Sequence, residues 1–257
     1  MASGEGFKVS SLKDKVTLIT GASSGIGAGT SIMFAKLGAL LALNGRDVEN
    51  LTNIAKQCTD LGAAEPLLVP GDLTNEDTVK KTVELTIAHF GRLDVLINSA
   101  GILAMGSIET GDLAQYDKVM NVNVRSVYHL TQLCVPHLIR TKGSIVNVSS
   151  VNGQRSWVKI KEILIRLIFL PELASKQVRV NSVCPGVIIT DVHRRAGLDE
   201  EQYAQFLEKC KQTHALGRPG EVEEVAHAIA FLASDAATFI TGVNLPVDGG
   251  RHAMCPR

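Results

Sequence analysis

Three glycines near the amino terminus have the spacing of a phosphate-binding loop. Gly21, Gly25 and Gly27 lie in the segment TGASSGIG, which follows an apolar run and opens a stretch of helical period. Such glycines allow a tight turn, close approach of the backbone to a pyrophosphate and close helix–strand packing, while the helix N-terminus offers N–H groups to phosphates. A glycine triplet alone is also compatible with a helix cap, but its place after a first strand favours a dinucleotide loop.

Further polar and glycine motifs follow the later apolar runs in a fixed order. They are Gly71-Asp72-Leu73, Asn98-Ser99-Ala100-Gly101, Asn123, Ser149-Ser150, Asn181, Pro185-Gly186 and the ending from Thr241-Gly242 to Asp248-Gly249-Gly250. Together with the glycine loop, this series resembles the short-chain dehydrogenase/reductase family. The resemblance covers about residues 10 to 250 and fails between Ser156 and Pro171.

The resemblance implies a cofactor site built from the ends of several strands. Asp72 resembles the adenine contact, Asn98, Ala100 and Gly101 resemble the adenosine-ribose floor, and Pro185 to Thr190 resemble the nicotinamide clamp. Turn chemistry at strand ends is the alternative for Asp72 and Asn98. The predicted cofactor-binding residues are therefore Gly21, Ser23, Ser24, Gly25, Ile26, Gly27, Arg46, Asp72, Leu73, Asn98, Ala100, Gly101, Pro185, Gly186 and Thr190. Ser99 departs from the asparagine that is more usual there.

The end of the second apolar run favours NADP over NAD. In LALNGRD, Gly45 stands where NAD-preferring relatives carry an acid, which would hydrogen-bond a ribose 2′-OH, and Arg46 follows it. An arginine can pair with a 2′-phosphate through a charge-assisted fork. Arg46 could equally be a solvated loop charge, since Asp47 stands next to it.

The resemblance implies a catalytic set of Asn, Ser, Tyr and Lys, of which the chain matches half. Asn123 matches the family asparagine and Ser150 the family serine. The tyrosine, which transfers the proton, should stand about 13 residues after the serine, and the lysine that lowers its pKa four residues later. Those positions hold Ile163 and Leu167.

The segment that should carry this pair is shorter and different in kind. Ser150 and Asn181 are 31 residues apart, where relatives have about 39, and WVKIKEILIRLIFLP replaces the usual sequence from 157 to 171. The chain has three tyrosines, Tyr116, Tyr128 and Tyr203, all outside this interval. Tyr128 is interpreted as core or interface packing, and Tyr203 lies in the variable region that covers the substrate in relatives. Lys159 and Lys161 are interpreted as solvated helix-face charges.

Alternation of β-branched or leucine-rich runs with helical periods predicts one Rossmann-like α/β domain, a doubly wound, seven-stranded parallel sheet. The predicted strands are Val16–Thr20, Leu40–Asn44, Pro66–Val69, Leu93–Asn98, Ser144–Ser149, Val178–Cys184 and Val243–Val247. The predicted helices are Gly25–Leu37, Val48–Leu61, Asn75–Phe90, Leu113–Arg140, Glu200–Lys211 and Val222–Ser234, with a shorter crossover helix in 157–176 and a possible kink at Pro171. Gly38, Gly62, Gly91 and Gly143 are expected as left-handed C-caps, and residues 1–12 as a flexible segment.

Composition narrows the class of partner. Lys plus Arg equals Asp plus Glu at 26 each, so no net field attracts nucleic acid or an anionic membrane. Five cysteines, odd in number and without a C-x-x-C pair, argue against a disulfide framework and a metal site. The longest apolar stretch, Ile163 to Leu170, is far below the ~20 residues of a membrane span. A cytoplasmic protein with small-molecule partners is expected, and a homo-oligomer in relatives, weakened or altered here.

Two functional hypotheses follow. The first is an NADP-dependent oxidoreductase of an alcohol or ketone, implied by the resemblance. The second is a non-catalytic dinucleotide-binding protein, or a defective splice or gene-model isoform, implied by the missing tyrosine and lysine. The substrate cannot be inferred, because the region from Val192 to Gly217 is idiosyncratic.

Overall fold

The computed structural model of the protein describes residues 11–106, 109–153 and 170–254. Within these ranges seven parallel strands form one sheet in the order β3-β2-β1-β4-β5-β6-β7. The strands are β1 Val16–Ile19, β2 Leu40–Gly45, β3 Leu67–Pro70, β4 Val95–Asn98, β5 Ser144–Val148, β6 Arg179–Pro185 and β7 Asn244–Val247. The predicted doubly wound α/β fold is confirmed, with each strand within two residues of its predicted bounds.

Ten α-helices connect the strands in the described ranges. They are α1 Gly25–Lys36, α2 Val48–Asp60, α3 Glu76–Phe90, α4 Leu113–Met120, α5 Ser126–Thr141, α6 Leu170–Ala174, α7 Val192–Arg195, α8 Glu200–Glu208, α9 Cys210–Thr213 and α10 Val222–Ala233. None of them has the combination of length and apolar character that a membrane span requires.

The sheet is covered on both faces because successive strand residues enter opposite cores. Leu41 and Leu43 of β2 pack in a cluster with α1, α2 and α10, whereas Ala42 between them packs in a second cluster with α3 and α5. The other central strands alternate in the same way, as with Leu96 and Ile97 of β4. Strands apolar on both sides are the sequence sign of a buried parallel sheet.

Polar side chains fix where several helices begin. Asp47 caps α2 by accepting a hydrogen bond from the backbone N–H of Asn50, and Asn75 and Asp112 cap α3 and α4 in the same manner. These contacts satisfy N–H groups that have no partner within the helix. The acidic neighbour of Arg46 therefore has a structural role.

Two predicted helices are interrupted. The predicted helix Leu113–Arg140 is α4, a π-helical turn Asn121–Arg125 and α5, and the predicted helix Glu200–Lys211 is divided into α8 and α9. Helical periodicity does not distinguish α from π hydrogen bonding over one turn, so the sequence could not locate the break. A π-helical turn is a frequent companion of functional sites.

The expected glycine caps are correct at three positions and wrong at the fourth. Gly38, Gly62 and Gly91 have φ of 82°, 85° and 73°. After α5 the left-handed residue is Lys142, with φ of 52°, and not the expected Gly143. Gly143 is required for another reason. A Cβ on Gly143 would lie 2.4 Å from the backbone oxygen of Asp94, so the two chain segments touch there.

The crossover from β5 to β6 closes the sheet as predicted. Strand β6 pairs in parallel with both β5 and β7. Helix α6 ends this crossover, while residues 154–169, including Lys159, Lys161, Ile163 and Leu167, lie outside the described residues. At the amino terminus residues 1–10 also lie outside them, and Leu12 is fully buried, with its N–H donating to the oxygen of Leu37.

Candidate active site

The strand order reverses between β1 and β4, and a groove opens at the carboxyl ends of the strands there. Parallel sheets of this order bind ligands at such a switch point. The groove has a volume of about 360 Å³ and is lined by residues that follow β1 to β6. Every cofactor-binding residue predicted from the sequence, together with Asn123 and Ser150, lines this single groove.

The glycine loop depends on the absence of side chains. Gly21 and Gly25 have φ of 65° and 54°, in the left-handed region. A Cβ on Gly27 would lie 2.3 Å from the oxygen of Gly21, so helix α1 could not approach its own loop with any side chain there. A Cβ on Gly21 would lie 3.0 Å from the backbone of Ala100.

The hydroxyl of Thr20 joins this loop to the one after β4. Its Oγ1 accepts hydrogen bonds from the backbone N–H groups of Ser99 at 3.0 Å and Ala100 at 3.1 Å, and donates to the oxygen of Ile97. Sequence reasoning included Thr20 in the motif but assigned it no role. The signal that could have indicated this role is the position of Thr20 at the end of an apolar strand, directly before the first glycine.

At the far end of the groove, Asp72 performs turn chemistry and also meets Arg46. Asp72 Oδ1 accepts from the backbone N–H of Thr74 at 2.9 Å and from its hydroxyl at 2.8 Å, and Arg46 lies 3.7 Å from Oδ2. Partial burial opposes ionisation of Asp72, but the Thr74 hydrogen bonds and the Arg46 charge leave its pKa lowered. The turn role weighed for Asp72 is present, and Arg46 lines the groove with most of its side chain exposed to solvent.

The amide of Asn98 is committed to the core. Its Nδ2 donates to Asn147 Oδ1 at 2.9 Å and to Thr131 Oγ1 at 3.2 Å, and the residue is almost fully buried. Its Oδ1 is buried without a hydrogen-bond partner among the described residues. Asn98 therefore ties β4 to β5 and to α5, and the floor of the groove is formed by the backbone that follows.

Asn123 lies in the π-helical turn and fixes the loop after Gly101. Its Oδ1 accepts from the N–H of Ile102 at 2.9 Å and its Nδ2 donates to the oxygen of Ile102 at 2.8 Å. The side-chain amide thus forms one accepting and one donating hydrogen bond with the backbone of Ile102, as a residue paired across two strands would do. The interrupted helix places Asn123 beside the groove.

Ser150 follows β5 and lines the same groove. Its Oγ accepts from the backbone N–H of Asn152 at 3.2 Å, inside a short turn of 3-10 helix at Val151–Gly153. That contact leaves the hydroxyl proton available to a ligand. The described residues after it end at Gly153.

A buried histidine supports the segment Pro185 to Thr190. His214 Nε2 accepts from the N–H of Val187 at 3.2 Å, and a Cβ on Gly186 would lie 2.9 Å from that same ring nitrogen. Burial, and secondarily the charge of Arg251, lower the pKa of His214, so the ring is neutral and can accept. His214 was missed, because its position is 27 residues from Val187 in the chain.

The region between α7 and α8 forms the wall beyond this segment. The rings of His193 and Phe206 lie 4.4 Å apart, and both residues line the groove. Burial lowers the pKa of His193 to about 4, with a smaller effect from Arg251. The hydroxyl of Tyr203 donates to the oxygen of Thr190 at 3.1 Å, so this buried tyrosine is a structural support. Tyr128 is nearly half exposed, so of its two interpretations core packing is wrong and interface packing stays a prediction.

Comparison with known proteins gives the family. A model of the family described as enoyl-(acyl carrier protein) reductase matches residues 21–252. The chain belongs to the short-chain dehydrogenase/reductase family. It is 38% identical over 249 residues to the 3-oxoacyl-[acyl-carrier-protein] reductase FabG of Thermotoga maritima, and the alignment covers 93% of this chain and 98% of that protein. It is 34% identical over 248 residues to a meso-2,3-butanediol dehydrogenase of Serratia marcescens, covering 93% and 95% of the two chains.

Solved structures of this family superpose over nearly the whole chain. A short-chain dehydrogenase/reductase of unknown function from Caenorhabditis elegans, solved with cofactor, has a TM-score of 0.88 and 30% identity, covering 95% of this chain and 97% of that one. A short-chain type dehydrogenase/reductase from Mycobacterium marinum has a TM-score of 0.86 and 27% identity, covering 96% and 98%. The chain thus has the ancestry of an oxidoreductase, while the named relatives act on different substrates.

Proposed function

We propose that this chain binds a nicotinamide dinucleotide in the groove, prefers NADP(H) to NAD(H), and has little or no oxidoreductase turnover. The observation that carries the proposal is a combination: the glycine loop and the strand ends form one continuous groove, whereas the sequence between Ser150 and Asn181 contains no tyrosine. Ancestry makes the substrate of an active form a hydroxyl or carbonyl compound.

A dinucleotide fits the described residues. Gly21, Gly25 and Gly27 line a cradle whose backbone packs too closely for side chains at positions 21 and 27, and the N-terminus of α1 opens onto it. Backbone N–H groups at a helix N-terminus hold phosphates well. The segment from Pro185 to Thr190 lies on the other side of the cradle, with a Cβ on Gly25 at 3.4 Å from Thr190 Cγ2.

The preference for NADP(H) rests on Arg46 and Gly45. Arg46 stands beside Asp72 in the groove with most of its side chain exposed, so its guanidinium is free to exchange a carboxylate for a 2′-phosphate. A side chain at position 45 would meet Ser23, since a Cβ there would lie 3.0 Å from Ser23 Oγ. This crowding disfavours the acid that would repel the phosphate.

Calorimetric titration with NADPH and NADH tests the preference. The parent chain should bind NADPH more tightly, and Arg46→Ala should reduce NADPH affinity about tenfold while leaving NADH nearly unchanged. Arg218→Ala, which removes an arginine paired with Glu224 away from the cradle, is the charge-matched control. Equal affinities in the parent chain, or an unchanged preference in Arg46→Ala, would contradict this part of the proposal.

The chemical deficit lies in proton transfer. Bound nicotinamide would exchange hydride with a carbinol or carbonyl carbon. Ser150 can donate its hydroxyl to the substrate oxygen, and Asn123 holds the loop at Ile102 that borders it. A general acid or base contributes ~10²–10⁴ in rate, and the phenol that resemblance implies for this task is missing. Tyr203 is engaged with Thr190 and does not replace it.

Replacing the altered block tests the deficit directly. Residues Trp157–Pro171 are exchanged for a family-like block of about 23 residues that carries Tyr about 13 positions after Ser150 and Lys four later, and turnover is compared over a panel of alcohols and ketones. A block identical except for Phe in place of Tyr is the control. Activity should rise ~10²-fold or more with Tyr and stay low with Phe. Comparable activity in the unmodified chain would overturn the proposal and direct attention to Lys159, Lys161 and Tyr203.

A non-catalytic dinucleotide-binding protein or a defective isoform is the alternative, favoured by replacement of one continuous block between intact motifs. The transcript distinguishes them: translated intron sequence over 157–171 indicates a defective isoform, and a conventional exon indicates a chain made for binding.

We further propose a cytoplasmic location and a homo-oligomer weakened or altered by the changed block. Size-exclusion chromatography of the parent and block-replaced chains tests the latter.

A further inference from the structure

Two neighbouring arginines of α7 differ in their surroundings. Arg194 is held by a carboxylate and an aromatic ring, with its Nε 2.7 Å from Glu200 Oε1 and its guanidinium carbon 4.0 Å from the ring centroid of Tyr203. Arg195 lies within ion-pair distance of no carboxylate in the described parts of the chain, although, after the hydrogen bonds from Asn50, its charge helps to lower the pKa of Asp47. Its NH1 donates instead to Ser24 Oγ at 2.9 Å, across 171 residues of sequence.

Ser24 is also unusual for its position. It is the N-cap of α1, where a serine normally accepts a hydrogen bond from the second or third N–H of the helix. Here its side chain makes no capping hydrogen bond and accepts from Arg195. The first turn of α1 contains no acidic residue.

This contact brings a cation to the N-terminus of a helix, with the carboxylate of Asp47 as a counter-charge beyond ion-pair distance. The N-terminus of a helix carries partial positive charge, so a guanidinium there is repelled unless an anion lies with it. Arg195 and Ser24 both line the groove, beside the glycine cradle. The contact thus has the composition of an anion site: a fork of N–H donors, a hydroxyl and the amides of a helix N-terminus.

We propose that Arg195 is a ligand of the cofactor pyrophosphate, reaching from α7 over the N-terminus of α1. This inference rests on the proposed dinucleotide binding and adds a contact from the wall that carries Thr190, Tyr203 and His193.

Three variants separate this role from general charge. Arg195→Gln removes the charge, Arg195→Lys keeps it without the fork, and Arg194→Gln removes the same charge one residue away. Each is titrated by calorimetry with NADPH, NADH, ADP-ribose and adenosine, and its thermal unfolding is recorded without ligand.

Arg195→Gln should weaken NADPH, NADH and ADP-ribose alike, by about tenfold, because each carries the pyrophosphate. Adenosine affinity should be unchanged, Arg195→Lys should be intermediate, and Arg194→Gln should bind within about twofold of the parent. The unfolding temperature of Arg195→Gln should stay close to that of the parent, since the loss of the attraction to Asp47 and of an exposed hydrogen bond offsets the repulsion removed at the helix N-terminus.

The outcomes are distinguishable. If the parent chain binds neither dinucleotide, the proposed function fails and the inference with it. If the parent binds and Arg195→Gln binds equally well, only the inference fails. A loss confined to NADPH assigns Arg195 to the 2′-phosphate and overturns the pyrophosphate assignment, and an equal loss for adenosine assigns it a structural role.

Discussion

Gly27→Ala should damage both the cradle and the stability of the chain. The added Cβ would lie 2.3 Å from the oxygen of Gly21, 2.7 Å from its carbonyl carbon and 3.1 Å from the oxygen of Thr20. All three are backbone atoms, so no side chain can rotate away. Since carbon contacts are comfortable near ~3.5 Å, helix α1 must retreat from its loop by about 1 Å.

That displacement is large on the scale of a hydrogen bond. Amides that would meet a phosphate near ~2.9 Å would lie near ~3.9 Å, and such contacts are lost. Losing one charge-assisted hydrogen bond costs about 1.5–3 kcal/mol, so dinucleotide affinity should fall between about tenfold and a hundredfold. Overpacking of this kind costs a further ~1–3 kcal/mol of unfolding free energy.

Gly62→Ala is the matched control. Gly62 has φ of 85° and nothing within 4 Å of an added Cβ, so the substitution strains the backbone, at a cost of about 1 kcal/mol, away from the cradle. Urea unfolding and calorimetric titration with NADPH are measured for both variants. Parent-like affinity in Gly27→Ala, or an affinity loss in Gly62→Ala equal to that in Gly27→Ala, would refute the reasoning from close approach.

Substitutions at three further positions probe positioning and stability. Thr20→Val removes the acceptor of two backbone N–H groups and should cost about 1–3 kcal/mol in urea unfolding, with weaker NADPH binding; Thr20→Ser should retain both. Arg179→Met removes the guanidinium that donates to three carbonyl oxygens at the end of α10, and should cost about 2–3 kcal/mol, while an unchanged urea midpoint would contradict that role. Burial lowers the pKa of His193 to about 4 in the folded chain. Between pH ~6.5 and 4 the unfolded chain therefore binds a proton at this ring that the folded chain does not bind, so the free energy of unfolding should fall as the pH drops through this range. His193→Gln should make this decline shallower, though His214 contributes in the same direction, and an equally steep decline in the variant would refute it.

The sequence determined the fold and the part of the groove formed at the strand ends, because both depend on local patterns. Runs of β-branched residues and leucine predicted the strand bounds within two residues. The motifs at the strand ends named residues that all line one groove. Parallel strands present their carboxyl ends at the same edge, so a residue that follows a strand is placed there by topology alone. The lack of tyrosine between Ser150 and Asn181 is likewise read from the sequence alone, since it needs no coordinates.

Tertiary structure decided what each side chain does at that edge. Asn98, expected at the ribose floor, lines the groove, and only the structure shows that its amide also joins two strands and a helix. Asp72 divides its oxygens between a turn and Arg46. The contact of Arg195 with Ser24 joins residues 171 positions apart, so no local pattern encodes it. Periodicity and spacing describe near neighbours in the chain, whereas hydrogen-bond partners are chosen by proximity after folding. The groove residues that follow the strands were therefore predictable, whereas the α7–α8 wall and the hydrogen-bond partners were not.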